Sequence, residues 1–293
     1  MLDNGNDKDW FSSAEIVAAA VVSLASLSFL IPWELTDPHP VVDLQLFRGR
    51  NFRVGCITIG IAYFALSGVN IIFPLWLQTT VGYTATWAGL AVAPIGLFAL
   101  VAAPIVGRNM NRMNLRVAAS FAFLVFGINV FWVAGLNETA SFMQFAVPRL
   151  FQGLGIAFFF LPLNQILLSG VRSDELASAS GLSNFVRTIS GSIATAVTVW
   201  LCNNRTDYHH AVLAEHVSAS AGGWVHYQEL LASQGITGGN ALQYADRIVV
   251  QQASTLGVSD VFRMLGVMFV LLIPFVWLAK PPFGAGGARN SAH

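Results

Sequence analysis

From Val54 to Gly107 the chain carries no Asp, Glu, Lys, Arg or His. About 20 mostly apolar residues make one membrane-spanning helix, so this run is long enough for two crossings. A polar stretch at 78–86, containing Gly82, supplies the break between them. The same reading predicts seven spans, at about 14–33, 54–77, 86–107, 115–136, 145–169, 180–201 and 261–279. These runs are continuously apolar and do not alternate every second residue, which argues against a membrane β-barrel. The fold class expected is an all-α membrane protein with seven transmembrane helices.

Composition agrees with that reading. Of 293 residues, 55% are hydrophobic and only 10% are charged, whereas soluble domains carry about 25% charged residues. Lys+Arg and Asp+Glu balance at 15 each. A soluble enzyme, a disordered chain and a nucleic-acid binder all fit poorly. Two cysteines cannot staple a secreted scaffold. Near the start, Asp3, Asp7 and Asp9 outnumber Lys8, the reverse of a signal peptide's basic region.

Short-loop arginines set the expected orientation. Arg48, Arg50 and Arg53 follow the first span, Arg108, Arg112 and Arg116 the third, and Arg172 the fifth; Lys280 and Arg289 lie in the tail. The alternate short loops, 78–85 and 137–144, carry none. The N-terminus and the segment 202–260 are therefore expected outside, with Cys56 and Cys202 toward opposite faces. This divides the chain into 1–53 (N-terminus, first span and inner loop), 54–201 (five helices), 202–260 (external loop) and 261–293 (last helix and tail). Within the external loop, 203–218 and 223–252 are patterned for two short amphipathic helices. His209, His210, His216 and His226 lie there without an acid or cysteine at a recognisable zinc-ligand spacing, so a solvated loop is preferred to a metal site. Residues 285–293 read as a short flexible tail.

Every Asp and Glu lies in a loop or at a span end, but two arginines enter spans: Arg149 in the fifth and Arg187 in the sixth. A mid-bilayer arginine is costly and faces protein or water. Each reads either as part of a transport path or as a structural clamp on backbone carbonyls. In the sixth span Ser180, Asn184, Arg187, Gly191, Thr195 and Thr198 recur at helical spacing on one face. Small-residue helix packing accounts for the Ser, Gly and Thr positions better than for Asn184 and Arg187. The second span carries a shorter stripe of Gly60, Tyr63, Ser67 and Asn70. The fifth carries Arg149, Gln152 and Gly153, then Pro162, Asn164 and Gln165. Asn164 either contributes to a path or re-satisfies the carbonyl that Pro162 frees. Phe121, Phe123, Phe126 and Phe158–Phe160 read as packing, or as an apolar wall for lipophilic ligands. No HExxH, GxSxG or Walker loop is present, so no enzyme activity is expected.

Five segments then carry a resemblance: WELTD at 33–37, LFRGRNF at 46–52, GYTATWAGL at 82–90, LSNF at 182–185 and AKPPFGAGG at 279–287. Together they resemble the EmrB/QacA-type multidrug efflux proteins, the fourteen-helix, proton-coupled branch of the major facilitator superfamily. The resemblance implies two six-helix bundles with two extra helices between them. This chain then corresponds to the C-terminal half, a linker helix followed by the six-helix C-terminal bundle, without its N-terminal half. Gly107, Arg108, Asn111, Arg112 and Arg116 resemble the superfamily's cytoplasmic gate loop, with Asn111 in place of its acid. Arg149 with Gln152–Gly153 resembles an R-x-x-Q-G motif tied to proton coupling. The second and fifth spans are implied to line the cavity with Tyr63, Asn70, Arg149, Gln152 and Asn164, and Asn184 and Arg187 join them from the sixth. Implied partners are membrane lipid, the N-terminal half, a periplasmic adaptor protein, an outer-membrane channel and lipophilic drug-like substrates. No cofactor is implied beyond a proton gradient, and the location implied is a bacterial inner membrane. One bundle without its partner is expected not to pump alone. A non-transporting membrane scaffold, its polar stripes only packing helices, is the competing reading.

Overall fold

The computed structural model describes residues 13–36, 44–216, 222–233, 235 and 238–283. The expected tail at 285–293, the first twelve residues, and the side chains of Asn111 and His216 lie outside the described residues. Nine α-helices are present among them: α1 Ala14–Thr36, α2 Arg50–Thr79, α3 Ala85–Val92, α4 Ile95–Asn109, α5 Leu115–Ala134, α6 Phe142–Leu168, α7 Leu176–His216, α8 Gly222–Ser233 and α9 Gly239–Val276. Counting α3 and α4 as one, six are long and apolar enough to cross a membrane. α1 precedes them with the apolar stretch Ala14–Ser26 and exposes Val21, Val22, Leu24 and Phe29. The protein is an all-α, multi-pass membrane protein.

α2, α5, α6 and α9 enclose the core, where Phe73, Phe123, Phe126, Phe145, Phe159, Phe262 and Phe269 are fully buried. Lipid tails are as apolar as these side chains, so burial alone does not drive helices together; close packing does. Aromatic rings therefore interlock edge to face, as Phe126 and Phe159 do at 5.8 Å, and glycines let backbones approach. The apolar windows of α3–α4 and α7 are each only 17% buried, against 50–61% for the other four spans. These two helices flank the bundle and leave its open faces.

Two expected boundaries differ. The third span is broken at Ala93–Pro94, because Pro94 has no N–H to continue the helical ladder. The break turns the Ile95 carbonyl toward Gly153 of α6. The expected 202–260 loop with two short helices also does not form as drawn. α7 continues without interruption to His216, and α9 begins at Gly239. Residues 202–216 contain no Gly or Pro, so nothing ends the hydrogen-bond ladder where the apolar stretch stops. Hydropathy marks the edge of a membrane, not the end of a helix. The expected second short helix is divided between α8 and the start of α9, with Gly235 and Gly238 at positive φ between them.

At the basic-loop end, residues 278–283 form a strap across three helix ends. Arg50 Nε donates to the Leu278 carbonyl at 2.9 Å, and Asn51 Nδ2 to that of Lys280 at 2.8 Å. The Lys280 N–H donates back to Asn51 Oδ1 at 2.7 Å, and Ser169 Oγ to the Pro282 carbonyl at 3.1 Å. Arg116 donates to the Ala279 carbonyl and lies over the Trp277 and Phe283 rings at 5.8 and 5.4 Å. Arg116→Ala should lower stability by about 1–2 kcal/mol, since a charged donor to a part-buried carbonyl is lost. A thermal melt of the detergent-solubilised chain reads this as a lower midpoint.

Candidate functional site

The intramembrane arginines build two separate clusters along α2. Arg187 on α7 reaches across to α6, where its Nη2 donates to Asn164 Oδ1. Its Nη1 donates to Asn184 Oδ1, one helical turn away, at 3.3 Å. Its guanidinium lies over the rings of Tyr63 (5.4 Å) and Phe160 (5.8 Å). Asn164 therefore binds the arginine through its acceptor oxygen and does not serve only to repair the proline break. Tyr63 sits at the middle of the 30-residue α2, which places this cluster at mid-depth. Asn184 is exposed and Arg187 half-buried, so the cluster opens on the uncovered side of the bundle.

The second cluster is closed. Arg149 is 1% exposed and Gln152 is 1% exposed. Arg149 Nη1 donates to Gln152 Oε1 at 2.6 Å, and its guanidinium carbon stands 3.7 Å from the centre of the Phe73 ring. Asn129 of α5 is buried beside it and donates to the Pro148 carbonyl. Arg149 Nε and Nη2, and Arg187 Nε, have no acceptor among the described residues. Neither arginine is ion-paired to a carboxylate among the described residues. Their charges are met by amide oxygens and ring faces, which leaves part of each guanidinium buried without an acceptor among the described residues. Phe73 and Tyr63 lie ten residues apart on α2, so the clusters are separated by about 15 Å along the helix.

The polar stripes divide between packing and cluster. A Cβ on Gly60 would stand 3.2 Å from Ser190 Oγ, and one on Gly68 would stand 2.7 Å from Thr198 Oγ1. Ser67 faces Gly191 in the same way, at 3.4 Å. These pairs zip α2 to α7, so the small residues of both stripes pack helices. Asn70 is exposed and joins neither cluster. Of the expected gate loop, Gly107, Arg108 and Arg112 are exposed around the end of α4, while Arg116 is taken by the strap. The aromatics pack: Phe121 meets Phe158 at 5.0 Å, and Phe123 and Phe126 meet Phe159.

Sequence reasoning missed two contributors. Asn129 is the one carboxamide in α5's apolar run and could have been flagged on that ground. Phe73 carries no local signal, whereas Phe160 belongs to the aromatic run 158–160 already singled out. The histidines also find partners far along the chain. His209 Nε2 lies 2.8 Å from Asp260 Oδ2, an acid shared with Arg205 at 3.3 Å and Arg263 at 3.5 Å. Among the described residues no group of three His, Cys, Asp or Glu could hold a metal ion.

Six apolar spans packed around an aromatic core define an all-α membrane bundle. The chain belongs to the Major Facilitator Superfamily, whose family model matches residues 9–195. It is 41% identical over 294 residues to the multidrug export protein EmrB of Escherichia coli (strain K12), covering 100% of this chain and 57% of that protein. It is 38% identical over 290 residues to the fatty acid resistance protein FarB of Neisseria gonorrhoeae, covering 99% of this chain and 57% of that protein. The Haemophilus influenzae multidrug export protein EmrB is 39% identical over 285 residues, covering 97% and 56%. The chain thus spans a little over half the length of these relatives. It is a multi-pass protein of the inner membrane.

Proposed function

We propose that this chain is the C-terminal bundle, with its preceding linker helix, of a proton-driven multidrug exporter in a bacterial inner membrane. Its substrates are lipophilic, drug-like compounds, as the names of its relatives suggest. It is a transporter component and not an enzyme. The observation that carries this reading is the Arg187–Asn164 pair beside Tyr63 and Phe160, at mid-depth on the open side. A drug-like ligand needs an apolar wall with a few fixed polar groups, and this cluster supplies both.

Alternating access rocks one bundle against another around a midplane site. The uncovered flanks, α3–α4 and α7, are where an N-terminal bundle would close the path. The chain alone therefore does not export. The basic loops, with Gly107, Arg108, Asn111, Arg112 and Arg116, face the cytoplasm and gate the inner mouth. The prolonged outer ends of α7 and α9 are the surface offered to a periplasmic adaptor, which leads to an outer-membrane channel.

The test is Arg187→Ala in a protein carrying both bundles. Export of a lipophilic dye should fall at least about tenfold, the loss expected when one charged contact to a bound ligand goes, with membrane levels unchanged. Retained export at normal levels would remove Arg187 from the path. The competing reading is a non-transporting scaffold, favoured by the Gly60–Ser190 and Gly68–Thr198 contacts. On that reading Arg187→Ala lowers protein levels, and no combination of the chain with an N-terminal bundle exports.

A further inference from the structure

A cleft of about 490 Å³ opens between the outer ends of α2, α7 and α9, about one turn of α2 beyond the Phe73 ring on which Arg149 lies. Its walls are fixed. Gln251 Nε2 donates to the Thr80 carbonyl at 3.1 Å, and Thr80 Oγ1 and Ser254 Oγ stand 2.9 Å apart, joining α2 to α9. Gly257 brings α9 against α7, where an added Cβ would lie 2.5 Å from Thr206 Oγ1. The cleft is graded along its depth. Ile72, Leu75 and Val258 line the part inward of Thr80, Asn203 stands level with Gly257, and Gln251 and Arg247 line the outward part. Arg247 is the one charged side chain in the lining, which holds no Asp or Glu.

Trp76 lines the same cleft and is 3% exposed. Its ring is held edge-on to Phe145 at 5.6 Å. Its indole Nε1–H is buried and has no acceptor among the described residues. A buried donor of this kind costs free energy unless a ligand or water supplies the missing oxygen. Trp76 precedes Thr80 by one turn, and Arg247 precedes Ser254 by two turns on the facing helix. The charge therefore lies outermost and the orphan N–H deepest.

We propose that this cleft binds an anionic amphiphile, with its oxyanion head at Arg247 and its apolar body between α2 and α9. An oxygen acceptor within that body takes the Trp76 N–H. An acyl lipid with a carbonyl beneath its headgroup and a free N-acyl acid share this chemistry. The inference goes beyond the transport reading, because it requires binding alone.

The probe is N-lauroylglycine with a diazirine in its tail, photolysed on the full chain in phosphatidylcholine nanodiscs. Labelled peptides should map to 72–82, 202–206 and 247–258, and the acid should label about tenfold more than its methyl ester. Arg247→Gln should erase that preference for the acid. Trp76→Phe, which keeps the ring on Phe145, should weaken acid and ester alike by about fivefold. Suppression by added phosphatidylglycerol assigns the site to a bilayer lipid, and its absence assigns it to a free amphiphile. Labelling spread over the lipid-facing helices and unchanged by either variant would overturn the proposal, as would equal labelling by acid and ester. These readouts involve no export, so their failure leaves the Arg187 test untouched.

Discussion

Gly153→Ala should prevent the bundle from assembling. A Cβ at position 153 would lie 2.1 Å from the Ile95 carbonyl oxygen and 3.1 Å from the Ala99 nitrogen. Both are backbone atoms of α4, fixed by its own helical ladder, so no rotamer change can make room. Either α4 leaves α6 or α6 bends. Overpacking of this kind costs typically 1–3 kcal/mol and sometimes more, and a clash with backbone belongs at the upper end, on the order of 3 kcal/mol. Gly89→Ala is the matched control, because a Cβ there meets nothing within 4 Å. It should be neutral or stabilising by up to about 1 kcal/mol, through helix propensity. Gly155→Ala should fall between them, since its Cβ meets the Phe126 ring at 2.6 Å, a side chain that can partly yield. Size-exclusion profiles and thermal melts of the three variants give the order. If Gly153→Ala melts like Gly89→Ala, the α4–α6 contact is wrong.

Arg149 should show stability and function moving in opposite directions. Its charge is held where it is 1% exposed, with one amide oxygen and one ring face as partners. A buried charge is often replaced by a well-packed apolar group of similar volume at no cost, or at a gain of about 1–4 kcal/mol. Arg149→Met should therefore raise the melting midpoint, or leave it unchanged. Arg149→Lys should lower it, because a point charge cannot both lie flat over Phe73 and bond Gln152. In a protein with both bundles, Arg149→Met should nonetheless cut export at least about tenfold, by removing the donors left open at Nε and Nη2. A variant with normal export and lowered stability would make Arg149 a packing element.

The two arginines differ in how much of their setting could be read in the chain. Gln152 stands three residues from Arg149, a spacing at which neighbours on one helix meet, so this pair is local to the chain. Arg187 and Asn164 lie 23 residues apart on different helices, and only packing brings them together. Asn184 and Thr198 belonged to one polar stripe in the sequence. The fold sends Asn184 to the Arg187 cluster and Thr198 against Gly68. Likewise Asn70 lay on the α2 stripe but faces outward.

The sequence by itself determined the membrane class, six of the seven expected apolar spans, the basic-loop pattern and the presence of two intramembrane arginines. Those depend on local composition and on a helical period of 3.6 residues, which need no knowledge of neighbours. The tertiary structure alone decided where α7 and α9 end, that the third span breaks onto Gly153, and which polar residues pack and which cluster. It also decided that Trp76 keeps an unmet donor in a cleft. A polar group's role depends on what the facing helix presents at the same depth and angle, and that is set by how the helices pack.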